Sequence, residues 1–163
     1  MKVFLIGAGQ VGSTILEALH SEHELTVLDT EQARLQAVAD RYDVSTYEGD
    51  GTSRRDLSQA GAGAADLFLA CTSRDEVNLV AGMFARREAP SATTVIRTSN
   101  VYALNDPASK SDFQMRTPTQ ALSERKIASI GWRKAEDLVG RLGVLFSPIL
   151  GVHADHIWIT KSL

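Results

Sequence analysis

Short blocks of β-forming apolar residues recur through the first hundred positions: Val3-Phe4-Leu5-Ile6, Leu25-Thr26-Val27-Leu28, Leu67-Phe68-Leu69-Ala70 and Val95-Ile96. Between them apolar residues fall at helical spacing, as Ile15, Leu16 and Leu19 do. This alternation predicts strands over residues 2–7, 24–29, 44–48, 65–71 and 93–97, and helices over about 10–22, 31–41, 53–60 and 75–89. Ser53 and Asp75 are the expected N-caps of the third and fourth helices, Gly61 the stop for the third, and Pro90 the end of the fourth. The strand blocks lack period-2 alternation, as expected where helices cover both faces of a sheet. The fold class that follows is α/β, a doubly wound, Rossmann-like parallel sheet.

Beyond Asn100 the rhythm is lost. The expected division is a nucleotide-binding domain over 1–104 and a C-terminal extension over 105–163. In the extension, 105–118 reads as a polar connection. Residues 119–142 carry Leu122, Ile127, Ile130, Leu138 and Leu142 at spacings compatible with an amphipathic helix, against which Gly131 and Gly140 count. Val144-Leu145-Phe146 and His156-Ile157-Trp158-Ile159 are possible strands.

With 163 residues the chain fits one domain with an appendage and has no room for a second large substrate domain. Its 17 basic and 20 acidic residues leave a net charge of -3, so no nucleic-acid partner is expected. The Arg54-Arg55, Arg86-Arg87 and Arg125-Lys126 pairs sit beside carboxylates and read as solvated helix faces. One cysteine, Cys71, lies in an apolar strand and reads as a core thiol in a reducing compartment. No leader-like start and no apolar run of about 18 residues is present, which points to a soluble cytoplasmic protein.

The residues that carry chemistry begin with Gly7-Ala8-Gly9-Gln10-Val11-Gly12, a GxGxxG turn between a strand and a helix. Gly7 allows the tight turn, Gly9 leaves room for the backbone to approach a pyrophosphate, and Gly12 lets the helix pack close. Asp29 ends the second strand, where its carboxylate can accept from both ribose hydroxyls of an adenosine; a surface turn aspartate is the bland alternative. It would repel a 2′-phosphate, and the nearby cation Arg34 is expected to face solvent, so NAD(H) is favoured over NADP(H). Gly49-Asp50-Gly51-Thr52 follows the third strand; its glycines allow unusual backbone angles, and Asp50 either receives an adenine amino group or caps the next helix. Thr72 and Ser73 follow the fourth strand, facing the ribose and phosphate region. Arg97 ends the fifth and either reaches phosphate oxygens or forms a surface ion pair.

Two His pairs three apart, His20/His23 and His153/His156, lack evident further ligands, so no metal site is expected. No serine or cysteine has a nucleophile's context, and no His or Lys is placed to polarise a hydride-transfer substrate. No catalytic residue is assigned.

Taken together, these spaced motifs resemble the TrkA N-terminal domain, also called the regulator of potassium conductance domain. The resemblance is carried by GAGQVG at 7–12, Val27-Leu28-Asp29-Thr30, GDGT at 49–52, Ala60-Gly61-Ala62 ahead of Ala65-Asp66, Thr72-Ser73-Arg74-Asp75-Glu76-Val77-Asn78, and Val95-Ile96-Arg97. It covers about the first 100 residues. It implies ligand roles for Gly7, Gly9, Gln10, Val11, Gly12, Asp29, Asp50, Thr72 and Arg97, with Thr30, Thr52 and Ser73 as candidate contacts beside them. Gln10 resembles the NAD(H)-type subunits, where arginine would suggest the ATP-regulated type; ATP/ADP is the alternative ligand.

The family function implied is that of a non-enzymatic, nucleotide-sensing regulatory subunit at the inner face of the cell membrane. Such a domain assembles into dimers or rings and gates a potassium channel or transporter. The hydrophobic positions of 119–142 are the expected self-association surface. The alternative is an NAD-dependent oxidoreductase fragment, or a subunit whose substrate site another chain completes. Past residue 104 the likeness fades: only Phe146-Ser147-Pro148 faintly matches the sixth strand of the family, and its C-terminal ligand-binding subdomain is missing at this length.

Overall fold

A computed structural model describes residues 1–97, together with the backbone of two further strand segments, 115–116 and 157–160. The chain runs β1 (Lys2–Ile6), α1 (Gln10–Leu19), β2 (Glu24–Asp29), α2 (Gln32–Ala39), β3 (Ser45–Glu48), α3 (Arg54–Gln59), a 3-10 turn (Ala62–Ala64), β4 (Leu67–Ala70), α4 (Asp75–Glu88) and β5 (Thr93–Arg97), then β6 (Met115–Arg116) and β7 (Ile157–Thr160). The sheet order is β3-β2-β1-β4-β5-β7-β6. The first five strands are all parallel, so the expected doubly wound, Rossmann-like α/β fold is the observed one. β7 joins β5 antiparallel and carries β6 on its outer side.

The continuous apolar blocks arise because each central strand is covered on both faces. Val3 and Leu5 of β1, with Leu25, Val27, Leu67, Leu69 and Val95, pack against Val11, Ile15, Leu16 and Leu19 of α1 and Leu35 and Val38 of α2. Phe4 and Ile6, with Leu28, Phe68, Ala70 and Ile96, face Leu57 of α3 and Ala81, Phe84 and Ala85 of α4. Phe4 and Phe68 are register partners across β1 and β4, and their rings stack with centroids 5.5 Å apart. Gly82 admits the close approach of α4 to β5, since a Cβ there would stand 2.9 Å from Ile96. Cys71 is buried as expected; its thiol donates to the Ile6 carbonyl at 3.3 Å, and burial pushes its pKa up to about 12.

Several boundaries differ from the sequence expectation for physical reasons. Gly7 leaves β1 because its φ of 100° turns the chain. α1 ends at Leu19 rather than 22, with His20 closing the last turn. The fourth strand is confined to Leu67–Ala70, because Ala62–Ala64 forms a 3-10 turn behind the left-handed Gly61 that ends α3. Ser53 caps α3 through its hydroxyl, as expected. Asp75 does not cap α4: Arg74 occupies the N-cap position, and Asp75 and Glu76 lie in the first turn, where carboxylates favour the positive helix end. Within the expected polar connection 105–118, Met115–Arg116 is strand. The 156–159 strand is observed at Ile157–Thr160, while the 119–142 helix and the 144–146 strand lie outside the described residues. Among the described residues no helix is long and apolar enough to cross a membrane.

Candidate functional site

Every sequence-derived site residue lies at or beside the C-terminal edge of the parallel strands, where folds of this kind bind ligands. The loops there are tied edge to edge. Gly7 N-H donates to the Leu28 carbonyl at 2.9 Å, Gly49 N-H to Asp29 at 3.0 Å, and Cys71 N-H to Ile6 at 2.9 Å.

The glycine loop divides its labour as the spacing predicts. A Cβ on Gly12 would stand 1.8 Å from the Gly7 carbonyl oxygen, so only glycine lets α1 start this close to β1. Around Gly9, by contrast, a Cβ would meet nothing within 4 Å among the described residues. Helical bonding begins with Ser13 N-H donating to the Gly9 carbonyl at 2.8 Å, which leaves the amides of Gln10, Val11 and Gly12 ahead of the ladder at the positive end of the helix. Gln10 is exposed and Val11 buried. α1 has no acidic residue in its first turn and no side-chain cap, so nothing of its own competes with an incoming anion there.

Asp29 is buried rather than a surface turn residue. Its Oδ2 accepts the Ala8 amide at 2.6 Å and its Oδ1 the Glu31 amide at 2.9 Å. A carboxylate oxygen has two lone pairs, so each retains capacity for a hydroxyl. Thr30 beside it is exposed. Arg34 does not simply face solvent. It is half-exposed, pairs with Glu31 at 2.8 Å and approaches Asp29 to 3.9 Å.

The Gly49–Thr52 loop corrects two expectations. Neither glycine has a positive φ; a Cβ on Gly49 would stand 2.9 Å from Asp56, and one on Gly51 2.8 Å from Ile6, so close packing demands them. Asp50 is not the helix cap, since Ser53 is. Its carboxylate folds over Thr52, accepting the Thr52 amide and hydroxyl at 2.8 Å each, and the amide bond leads in holding it below its ordinary pKa.

On the other side of the glycine loop, Thr72 and Arg97 are joined by a residue whose role the sequence did not suggest. Asn78 of α4 is 0% exposed. It binds the amide, hydroxyl and carbonyl of Thr72 and the carbonyl of Arg97. Among the described residues Arg97 forms no ion pair; its half-buried guanidinium donates to the Thr72 carbonyl at 2.9 Å. Ser73 is exposed at the tip of this turn. The available signal for Asn78 was its place on the buried stripe of an amphipathic helix with Ala81 and Ala85, where an unpaired amide would be costly.

Elsewhere Arg54-Arg55 and Arg86-Arg87 are exposed as expected, with Arg54 bridging to Glu88 at 2.7 Å, while Arg125-Lys126 lies outside the described residues. His20 packs against Tyr42 with the rings tilted by 41°, and among the described residues no three His, Cys, Asp or Glu side chains come together as a metal site.

Comparison with known proteins gives a consistent answer. The TrkA-N domain family model matches residues 3–106. The Trk system potassium uptake protein TrkA of Haemophilus influenzae is 43% identical over 82 residues, half of this chain and 18% of that protein. Its namesake in Halomonas elongata is 40% identical over 98 residues, 60% of this chain and 21% of that protein. This chain therefore spans about a fifth of the length of these curated relatives. Among solved structures, the TrkA-N domain of the Escherichia coli inner membrane protein ybaL superposes with a TM-score of 0.53 at 22% identity, covering 57% of this chain and 69% of that one, a likeness of fold.

Proposed function

Because this chain belongs to the TrkA-N domain family, we propose that it is a nucleotide-sensing regulatory domain that binds NAD(H) and passes its ligand state to a membrane potassium transport partner. The observation that carries the reading is the alignment of an open Gly9, the leading amides of α1 and the buried Asp29 carboxylate along one sheet edge. A pyrophosphate fits the helix end, and an adenosine ribose fits Asp29. Gln10, Val11 and Gly12 would hold the phosphates through their amides. Asp50, Thr52, Thr30, Thr72, Ser73 and Arg97 border the same edge.

The reading is of a sensor rather than an enzyme. Cys71, the one thiol of the chain, is buried and held protonated, so it is no nucleophile. Regulation needs only that nucleotide bind two conformations unequally, and a difference of about 1–3 kcal/mol shifts a gate several-fold. The names of the relatives, which describe potassium uptake, supply the partner class, and a homo-oligomer at the inner membrane face is the assembly we infer.

The test is a calorimetric titration with NADH, NAD, ATP and ADP, followed by potassium flux in proteoliposomes holding the transport partner. NADH binding and a nucleotide-dependent flux are expected. Preference for ATP or ADP would reassign the ligand. No binding, or steady NADH oxidation by the isolated chain with simple carbonyl substrates, would overturn the proposal.

A further inference from the structure

We propose that Asn78 is a positioning residue for the second half of a bound dinucleotide, fixing the Thr72 turn and the Arg97 guanidinium relative to the glycine loop. The inference rests on the dinucleotide reading above.

The side-chain amide of Asn78 uses its whole bonding capacity. Oδ1 accepts the Thr72 amide at 2.9 Å and the Thr72 hydroxyl at 2.8 Å. Nδ2 donates to the Thr72 carbonyl at 3.0 Å and to the Arg97 carbonyl at 2.9 Å. One buried group therefore holds the chain where it leaves β4 and where it ends β5. Arg97 Nη1 donates to the same Thr72 carbonyl, so the shared acceptor also sets the direction of the guanidinium.

The position of this clamp gives it a ligand-side consequence. β4 lies next to β1, and Thr72 follows it directly, so close to the glycine loop that a Cβ on Gly7 would stand 3.1 Å from the Thr72 nitrogen. Cys71, the residue before Thr72, also brings its sulfur to 3.5 Å from the Gly7 carbonyl oxygen. The guanidinium thus stands beside the phosphate loop, on the side away from Asp29 and β2. A guanidinium has five N-H donors, and those not spent on Thr72 can meet phosphate or ribose oxygens. Adenosine recognition at Asp29 uses none of these groups, so the clamp should matter for a dinucleotide and not for a mononucleotide.

The experiment compares NADH and AMP by calorimetry on the full chain, with thermal unfolding followed in parallel. Asn78→Asp keeps the size and both acceptors, removes both donors, and draws Arg97 toward a new carboxylate. Asn78→Ala removes the clamp. Expected for both is a loss of NADH affinity of about tenfold or more, with AMP affinity within about twofold of wild type. If both affinities fall together in step with stability, or neither changes, Asn78 is only scaffold and the proposal fails. If the wild-type chain binds neither ligand, the dinucleotide reading itself falls, and this inference with it. Should both variants fail to fold, the wild-type chain decides by NMR. The Asn78 side-chain amide resonances should shift with NADH and stay in place with AMP; no shift at saturating NADH overturns the proposal.

Discussion

The carboxylate of Asp29 accepts the amide of Ala8, 21 residues earlier in the chain, at 2.6 Å from a side chain only 6% exposed. The acid expected to read a ribose is thus also a brace for the loop expected to read the phosphates.

Asp29→Ala should therefore cost stability as well as affinity. It leaves the buried Ala8 amide without its acceptor, a loss of about 1–3 kcal/mol, and removes the ribose partner. Asp29→Asn, which keeps one acceptor oxygen, should fall between. Urea denaturation and NADH titration measure the two effects separately, and an unchanged midpoint for Asp29→Ala would show that the brace is not needed.

Glycine substitutions should separate folding from binding. Gly12→Ala places a methyl against the Gly7 carbonyl and should destabilise by about 1–3 kcal/mol or more. Gly9→Val projects into open space from an extended backbone with φ of -73°, so it should fold normally and lose NADH. Circular dichroism melts with calorimetry check both. A folded Gly9→Val that retains NADH would remove the phosphate loop from the site.

Nucleotide choice should depend on Glu31. Among the described residues Arg34 is the cation paired with Asp29, yet its closer partner is Glu31, so this cluster sets two carboxylates against one guanidinium. Glu31→Gln leaves Arg34 freer to meet a 2′-phosphate. The ratio of NADPH to NADH affinity should rise by about three- to tenfold, a modest change because the pair is exposed and screened. Competition titration reads the ratio, and no change would mean that Asp29 alone sets the preference.

Alkaline stability should report on Cys71. Burial raises its pKa from 9.0 to about 12, while Arg97 opposes the rise. The unfolded thiol ionises first, so its contribution is intact below about pH 9 and is lost as pH climbs from there toward about 12. The slope is up to about 1.4 kcal/mol per pH unit. Cys71→Ala should show a flatter decline between about pH 9 and about pH 11 in urea denaturation. Identical slopes in the two proteins would show that the thiol is not shielded as its burial implies.

Legibility in the sequence followed the range of the forces. The glycine loop could be read because its three glycines, the strand before it and the helix after it constrain one another within a dozen residues. Asp29 could be placed by the end of an apolar block, although its bond to Ala8 could not. Gly49 and Gly51 read as allowing unusual backbone angles, whereas what they supply is close packing, against Asp56 of the adjoining helix for Gly49 and against the distant Ile6 and Val77 for Gly51. Asp50 and Ser53 are both chemically competent caps, and the local turn decided between them. Asn78 stood out only as the end of the 72–78 motif, and its role was not legible because its partners lie 6 and 19 residues away, one of them on another strand.

The parallel β1–β4 pairing has a kinetic consequence. Ile6 and Cys71 meet across 65 residues, and β4 must insert between β1 and β5 before Thr72 can close against Gly7. A refolding chain can assemble β1, α1 and β2 early, since Lys2 and Glu24 are register partners within one βαβ unit. That intermediate would contain the whole GxGxxG turn and Asp29, yet its loop would lack one wall. Closing long loops is slow, so recovery of NADH affinity should trail the recovery of helix signal. Nucleotide binding in this fold would then time the last strand to arrive rather than the first motif to form.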